Sequence, residues 1–304
     1  MSKKIISFDS QLLTALSLCP RLAKLSKIDS LVPNGPKSNA LEAGSLVHII
    51  LEYYHKALIA GRSRKDAIDT GYYAGREFIS GASEHNVYLV NPDTEFASNL
   101  PDESDKYLIG WKYVFQTMDE YFIHYANDSY TPIDAECVRG EIIYEDDDIV
   151  ILWKAKFDLI GDFSGGILPM DHKTMKQRRD TGTNNYQFIG QDRLLGVRSI
   201  IINKIGFQTT LKPEEKFIRS TISYSPDRIA EFCNDIVPYY AKMLISYDEM
   251  GVYPPSFTSC ETKYGFCDFY KDGFGSICTS DRNMRDTAIN LFFHKGKVWD
   301  INNE

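Results

Sequence analysis

Apolar side chains recur at steps of three and four through the first 130 residues, then switch to alternation with polar ones. Leu12, Leu13 and Leu16 predict a helix within Ser7–Lys27, and Pro20, in the step Cys19-Pro20-Arg21, interrupts or kinks it. Gly35-Pro36-Lys37 marks a loop. A second helix spans Ser38–Ala60, with Leu41, Val47, His48, Leu51, Tyr54 and Leu58 near one face and Gly61 as its stop. Ser63 and Asp66 open a third helix, to Ile79, in a capping-box arrangement. Residues 82–104 are polar and irregular. A strong amphipathic helix follows, with Leu108, Trp111, Phe115, Met118 and Phe122 on its stripe.

From residue 131 the pattern is β-rich. Glu136–Tyr144 and Ile149–Ile160 read as a hairpin closed by the acidic turn Glu145-Asp146-Asp147-Asp148. Gly165-Gly166 turns the chain into Ile167–Asp171. A helix over Asn185–Val197 leads to the strand Ile200–Ile205, and Phe217–Tyr224 reads as a further strand. Ser225-Pro226 opens a long helix to Met250, with proline suited to its first turn. The tail from Pro254 holds three of the six cysteines. There is no internal repeat and no low-complexity tract. The reading is one unit over 1–304: a helical part over 1–130, a sheet-bearing core over 131–252, and a cysteine-rich tail over 253–304.

Composition narrows the class. With 43% hydrophobic and 25% charged residues among 304, the chain has the makeup of a globular protein large enough to bury a core. Its 34 basic against 42 acidic side chains give a net charge of -8, which excludes a histone-like or ribosomal protein coated in positive charge. A local basic groove stays compatible with that total. The stretch MSKKIISFDSQLL has no apolar segment of signal-peptide length, and no run approaches the roughly 18 apolar residues of a membrane span. A soluble, cytoplasmic chain is expected, whose cysteines serve as buried thiols, metal ligands or nucleophiles rather than as disulfides.

The sharpest chemical signal is Asp158, followed after twelve intervening residues by the triplet Asp171-His172-Lys173. Both aspartates fall near the ends of strands sharing a hairpin, which can bring the carboxylates together at one end of the sheet. Two such carboxylates repel unless a cation sits between them, and Mg²⁺ suits one or two carboxylates plus water and a phosphate. Alternation puts Asp171 and Lys173 on one face and His172 on the other, where its role is structural. A lysine beside a metal-bound water can orient it and stabilise charge developing on phosphate. Asp162 competes with Asp158 as the upstream ligand, since both share a parity. Glu141 either helps shape the site or is a solvated sheet residue. Lys176, Arg178 and Arg179, with Arg193 further on, surround the triplet and suit tracking of a phosphate backbone. Tyr53, Tyr54, Tyr72 and Tyr73 are candidates either for stacking on bases or for the core.

These residues resemble the PD-(D/E)XK nuclease superfamily, with Asp171-His172-Lys173 as its D-x-K element, and more narrowly the RecB-type exonucleases, including the CRISPR-associated single-strand exonucleases and their phage relatives. Gly44-Ser45-Leu46-Val47-His48 matches the family's helical Gly-x-x-x-His, with Glu52 one turn on. Gln187 matches the first residue of its Gln-x-x-x-Tyr element, while Gln191 stands where tyrosine is usual. Cys19-Pro20-Arg21 matches its N-terminal cysteine step. The resemblance runs from Cys19 to Cys278 as scattered anchors, and residues 62–130 match none of its motifs.

The resemblance implies an α/β fold of restriction-endonuclease type: a mixed central sheet flanked by helices, with a helical N-terminal part and a cysteine-rich C-terminal region. It implies a prokaryotic or phage exonuclease acting on single-stranded DNA or DNA ends. Mg²⁺ or Mn²⁺ would be held by His48, Asp158 and Asp171, with Lys173 activating water and Gln187 orienting Lys173 or substrate. It also implies a 4Fe–4S cluster on Cys19, Cys260, Cys267 and Cys278, with the tail closing onto Cys19. Four thiolates suit Zn²⁺ as well, and the Cys267–Cys278 gap is longer than the family's tightest form. Cys137 and Cys233 are packing residues. A silent DNA-end-binding or scaffold module of a helicase–nuclease or recombination assembly is the rival reading; the chain has no Gly-x-x-x-x-Gly-Lys-Ser/Thr loop for a motor of its own.

Overall fold

The structure, a computed structural model, describes residues 3–34, 39–84, 110–175, 185–208, 210–262, 265–270 and 277–296. Lys176, Arg178 and Arg179 lie outside the described residues, as do most of 82–104 and Leu108.

The first helical stretch divides at Cys19, which is extended (φ -162°, ψ 116°). α1 (Ser10–Leu18) precedes it, and α2 (Pro20–Ala23) starts with Pro20 in its first turn. α3 (Asn39–Ile59), α4 (Arg64–Glu84) and α5 (Trp111–His124) form a layer with a common core of Leu46, Ile50, Val114, Met118 and Phe122. Ser63 Oγ accepts from the Asp66 N–H, the predicted capping arrangement. α3 and α4 pack closely through Gly71 and Gly75. A Cβ at Gly71 would come within 2.5 Å of the Ile50 carbonyl oxygen.

The sheet has six strands: β1 (Lys4–Phe8), β3 (Thr131–Glu145), β4 (Ile149–Asp162), β5 (Ile167–Met175), β6 (Ser199–Gly206) and β7 (Phe217–Ser223). β2 (Leu31–Pro33) lies outside it. The sheet is mixed: β3–β4, β4–β5 and β6–β7 are antiparallel, while β1–β4 and β5–β6 are parallel. This is the α/β architecture of restriction-endonuclease type expected above.

β4 organises the sheet. One of its edges carries β3 along nearly its whole length. The other is shared: β1 pairs with Ile149–Trp153 and β5 with Leu159–Asp162. The β4–β5 ladder ends at Leu159 opposite Met170, so Asp158 and Asp171 come next on each side of a fork. The acidic turn and the Phe163–Gly166 turn close the two hairpins as predicted.

α6 (Tyr186–Leu195) crosses β4. Asn185 caps it by accepting from the Gln187 N–H at 2.9 Å, and Gly196 ends it in the left-handed conformation. Gly190 lies against the buried Trp153, and a Cβ there would be 2.2 Å from Trp153 Nε1. A second core, with Phe8, Leu13, Leu16, Ile151, Trp153, Phe188 and Ile202, fills this side of the sheet. The short α7 (Pro213–Lys216) leads into β7, and this core is closed by α8 (Pro226–Glu231) and α9 (Val237–Met250), joined through a wide π-helical turn.

The tail carries a short antiparallel pair, β8 (Glu261–Thr262) and β9 (Gly265–Phe266), and returns to the chain's first helices. β10 (Phe293–Lys295) pairs antiparallel with β2, and Phe269, Ile277 and Phe293 pack on Leu25 and Leu31. β1, β2 and β10 were not anticipated from the sequence.

Candidate active site

Five predicted residues meet at the fork. Asp171 is buried and doubly held: Gln187 Nε2 donates to its Oδ1 at 2.6 Å, and Lys173 Nζ lies 2.7 Å from its Oδ2. Lys173 also donates to Gln187 Oε1 at 3.3 Å, closing a triangle of three side chains. The alternation of β5 produces the Asp171–Lys173 contact, and the Asn185 cap that starts α6 places Gln187 for the other two.

Asp158 occupies the fork itself. Since β5 has left β4 there, the His172 N–H lacks a strand partner on that edge and donates instead to Asp158 Oδ2 at 2.7 Å. The same oxygen lies 3.7 Å from His48 Nδ1 on α3. Asp162, its competitor, caps the adjacent turn by accepting from the Gly165 N–H.

The sequence reading missed one member. On β3, Ala135 faces Leu159 and Cys137 faces Phe157, which puts Glu136 across from Asp158. Its Oε1 lies 3.8 Å from His48 Nδ1 and its Oε2 2.9 Å from Lys156 Nζ. Ligand atoms of His48, Glu136 and Asp158 all fall within 4.8 Å of one another. Glu136 has φ 53°, a left-handed conformation that costs a residue with a Cβ about 1–3 kcal/mol and is held against that cost by its surroundings. Counted back from the acidic turn without interruption, the hairpin register would put Cys137 there; the irregularity between Ile142 and Tyr144 shifts β3 by one residue and brings Glu136 into place. Glu141 instead pairs with Arg193 at 3.2 Å, five residues further along β3, so Arg193 stands apart from the carboxylate group rather than beside it.

Electrostatics follow from crowding. Burial opposes charge on His48, but Glu136 and Asp158 outweigh it and hold the imidazole up to about 9. Burial and the neighbouring Asp171 raise Asp158 to about 7, with His48 pulling the other way. Glu136 is also desolvated, yet His48 and Lys156 bring it below the usual carboxylate range.

Behind β5 lies a polar support. His172 is buried, as its parity implied, and its ring stacks on the buried His55 of α3 at 5.5 Å with 5° between planes. Asn203 Nδ2 donates to His172 Nδ1 at 2.8 Å and to Tyr121 Oη at 3.0 Å, and its Oδ1 accepts from Arg219 Nε at 3.3 Å. His55 Nε2 meets Tyr130 Oη at 2.7 Å. Burial, then Arg219, lowers His55 to about 3; burial and the nearby cations put His172 well below the ordinary imidazole value. Both rings are neutral in the folded protein.

The remaining predicted residues divide. Gln191 donates to the Lys156 carbonyl at 2.8 Å, so it supports β4 rather than the centre. Glu52 pairs with Lys56. Tyr54 is core and Tyr72 packs on Phe115 and Phe122, while Tyr53 and Tyr73 are exposed. Cys19 Sγ accepts from the Ser256 N–H at 3.2 Å, and the Cys267 N–H donates to the Cys260 carbonyl at 2.7 Å. Cys260 is raised by burial and then by Cys278, Cys267 and Cys19, so the four thiols share one neighbourhood. Arg21 donates to the carbonyls of Tyr253 and Cys278, tying the tail to α2.

Among the described residues no helix is long and apolar enough to cross a membrane. A profile of the PD-(D/E)XK nuclease superfamily matches residues 10–191, well over half of the chain. No curated protein matches. Among solved structures, a protein of Eubacterium rectale named as a candidate exonuclease shares 14% identity over 81% of this chain and 83% of its own, with a TM-score of 0.45. Another, named SSO0001, shares 13% identity over 41% of this chain, with a TM-score of 0.26. The chain spans 57% of that protein's length. At these scores neither likeness carries an argument.

Proposed function

Because the chain belongs to the PD-(D/E)XK nuclease superfamily, we propose that it is a divalent-metal-dependent exonuclease acting on single-stranded DNA or DNA ends. The setting we infer is prokaryotic or phage repair, recombination or CRISPR-type processing. The observation that carries this reading is the meeting of His48, Glu136 and Asp158 beside the Asp171–Lys173–Gln187 triangle.

The donor set fits Mg²⁺ or Mn²⁺. Ligands held at about 2.1 Å around one octahedral ion lie no more than about 4.2 Å apart, which the three groups reach with small rotations. We assign His48, Glu136, Asp158 and Asp171 as its holders. When bound, the ion supplies a Lewis acid that lowers the pKa of water and screens the phosphodiester. The protein's own groups do the rest. Lys173 orients the attacking water and counters its developing charge. Gln187 fixes the Lys173 ammonium relative to Asp171. Asp158 holds β5 in register through the His172 N–H.

Lys173→Ala tests this on single strands labelled at the 5′ or 3′ end, with Mn²⁺ or Mg²⁺. The expected result is loss of product by about three orders of magnitude with DNA binding retained. Full metal-dependent cleavage by the variant sinks the mechanism. Binding by the unaltered protein with no product at any metal concentration supports the end-binding module instead.

For the four cysteines we propose a 4Fe–4S cluster. The observation behind it is that Cys260, Cys278, Cys267 and Cys19 share one neighbourhood where the tail meets α2; Zn²⁺ is the competing occupant of four thiolates. An anaerobic preparation should be brown and contain iron and acid-labile sulfide; stoichiometric zinc in a colourless one overturns the assignment.

A further inference from the structure

Across the sheet the charged groups of the fork form a row. Lys156 and Glu136 stand on the β3–β4 side, Asp158 in the middle, and Asp171 with Lys173 on the β5 side. Lys156 and Asp158 are two residues apart on β4 and so share its face. The Lys156 ammonium is held by Glu136 at 2.9 Å with its side chain about two-fifths exposed, while Gln191 anchors the Lys156 carbonyl from behind. The fork therefore has two lysines, Lys156 paired with Glu136 of β3 and Lys173 paired with Asp171 of β5, with Asp158 of β4 between the two pairs.

In-line displacement at phosphorus puts the entering and leaving oxygens on opposite sides of the reacting centre. With Lys173 on the β5 side of Asp158 serving the entering water, the β3 side, where Lys156 pairs with Glu136, faces the leaving oxygen. Charge points the same way. With His48 neutral as a ligand of the ion, three carboxylates and two lysines leave one net negative charge; a divalent ion turns this into one positive, matching the single negative charge of a phosphodiester. Without Lys156 that balance is lost.

We propose that Lys156 is a catalytic residue whose ammonium donates a hydrogen bond to the leaving oxygen of the phosphodiester. The inference rests on the nuclease reading above. In the step, a bond forms between the water oxygen and phosphorus and the bond from phosphorus to the leaving oxygen breaks. The water's proton passes to solvent, and the alkoxide, stabilised by the ammonium, takes a proton from solvent.

The test compares Lys156→Met with the unaltered protein on two single strands, one natural and one carrying sulfur in place of the leaving oxygen, the position being chosen from the end groups of the products. A thiolate leaves without such help. The natural strand should be cut about 100-fold more slowly by the variant and the sulfur strand within about threefold of the unaltered rate. Mn²⁺ affinity, followed by electron paramagnetic resonance in the absence of DNA, should be equal or tighter in the variant, because Glu136 loses a competing cation. Equal slowing on both strands, no slowing, or weakened Mn²⁺ binding overturns the proposal, the last by reducing Lys156 to a residue that positions Glu136. Lys156→Gln replaces the Met variant if that one melts early. If the unaltered protein cuts neither strand, the nuclease reading falls instead.

Discussion

Glu136 shows how much of the site lies in backbone shape rather than residue type. Its φ of 53° turns its carboxylate towards His48 and Lys156. Asp171, Lys173, Asp158, His48 and Gln187 were legible because strand alternation and helix spacing act on neighbours in sequence. A left-handed residue within a strand leaves no such periodic trace. Glu136→Gln keeps the volume and removes the charge, and should weaken Mn²⁺ binding about tenfold in calorimetric titration with little change in melting temperature. Protons compete for the same groups. His48 is held up to about 9 and Asp158 up to about 7, so at neutral pH metal displaces the proton of His48 and part of one on Asp158. Mn²⁺ affinity should therefore rise as pH increases from about 6 to about 9, with proton release seen as a buffer-dependent enthalpy. His55 acts on stability in the opposite sense to a paired histidine. Its folded value of about 3 lies below the unfolded value of about 6.5, so its contribution is intact above pH 6.5 and is lost as pH falls towards 3. At pH 5 the loss is about 2 kcal/mol. Denaturant titrations of His55→Gln should show a correspondingly shallower fall in stability between about pH 7 and about pH 5.

At the scale of elements, long amphipathic stretches were readable and short paired ones were not. α3, α4, α5, the β3–β4 hairpin and α9 follow from periodicity because each buries one continuous face. β1 has only five residues, with Ile5 exposed, and earns its place through pairing with Ile149–Trp153, a contact no local pattern encodes. The Cys19 break in the first helix was legible from Pro20 alone. Close approaches are likewise invisible until the partner is known: Gly190 reads as a weak point in a helix, yet it is where α6 meets Trp153. Gly190→Ala forces a Cβ to within 2.2 Å of an indole that is fully buried and has nowhere to move. The expected loss is about 2–3 kcal/mol in denaturant titration, against the gain in helix propensity that an exposed glycine would give.

At the scale of the molecule, two packed faces are joined by one strand and sealed by the tail. Arg21 donates to the carbonyls of Tyr253 and Cys278, and Leu25 and Leu31 receive Phe269 and Phe293. Arg21→Ala leaves those carbonyls without their donor; limited proteolysis should then cut after Pro254 at least several-fold faster while the sheet core stays protected. The β2–β10 pair that helps secure the tail was hidden from the sequence by its three-residue length. The pairing of β1 with β4 carries a further consequence, for assembly. Lys4 lies opposite Ile149, so a segment made early on the ribosome finds its hydrogen-bonding partner only after the helical layer and the first arm of the hairpin have emerged. Such separation raises contact order and slows closure of the sheet, leaving that edge of β4 open in the interval. Until β1 arrives, the nascent chain carries an unpaired strand edge of Val, Leu and Trp positions, the place where a chaperone or a second nascent chain would find its hold.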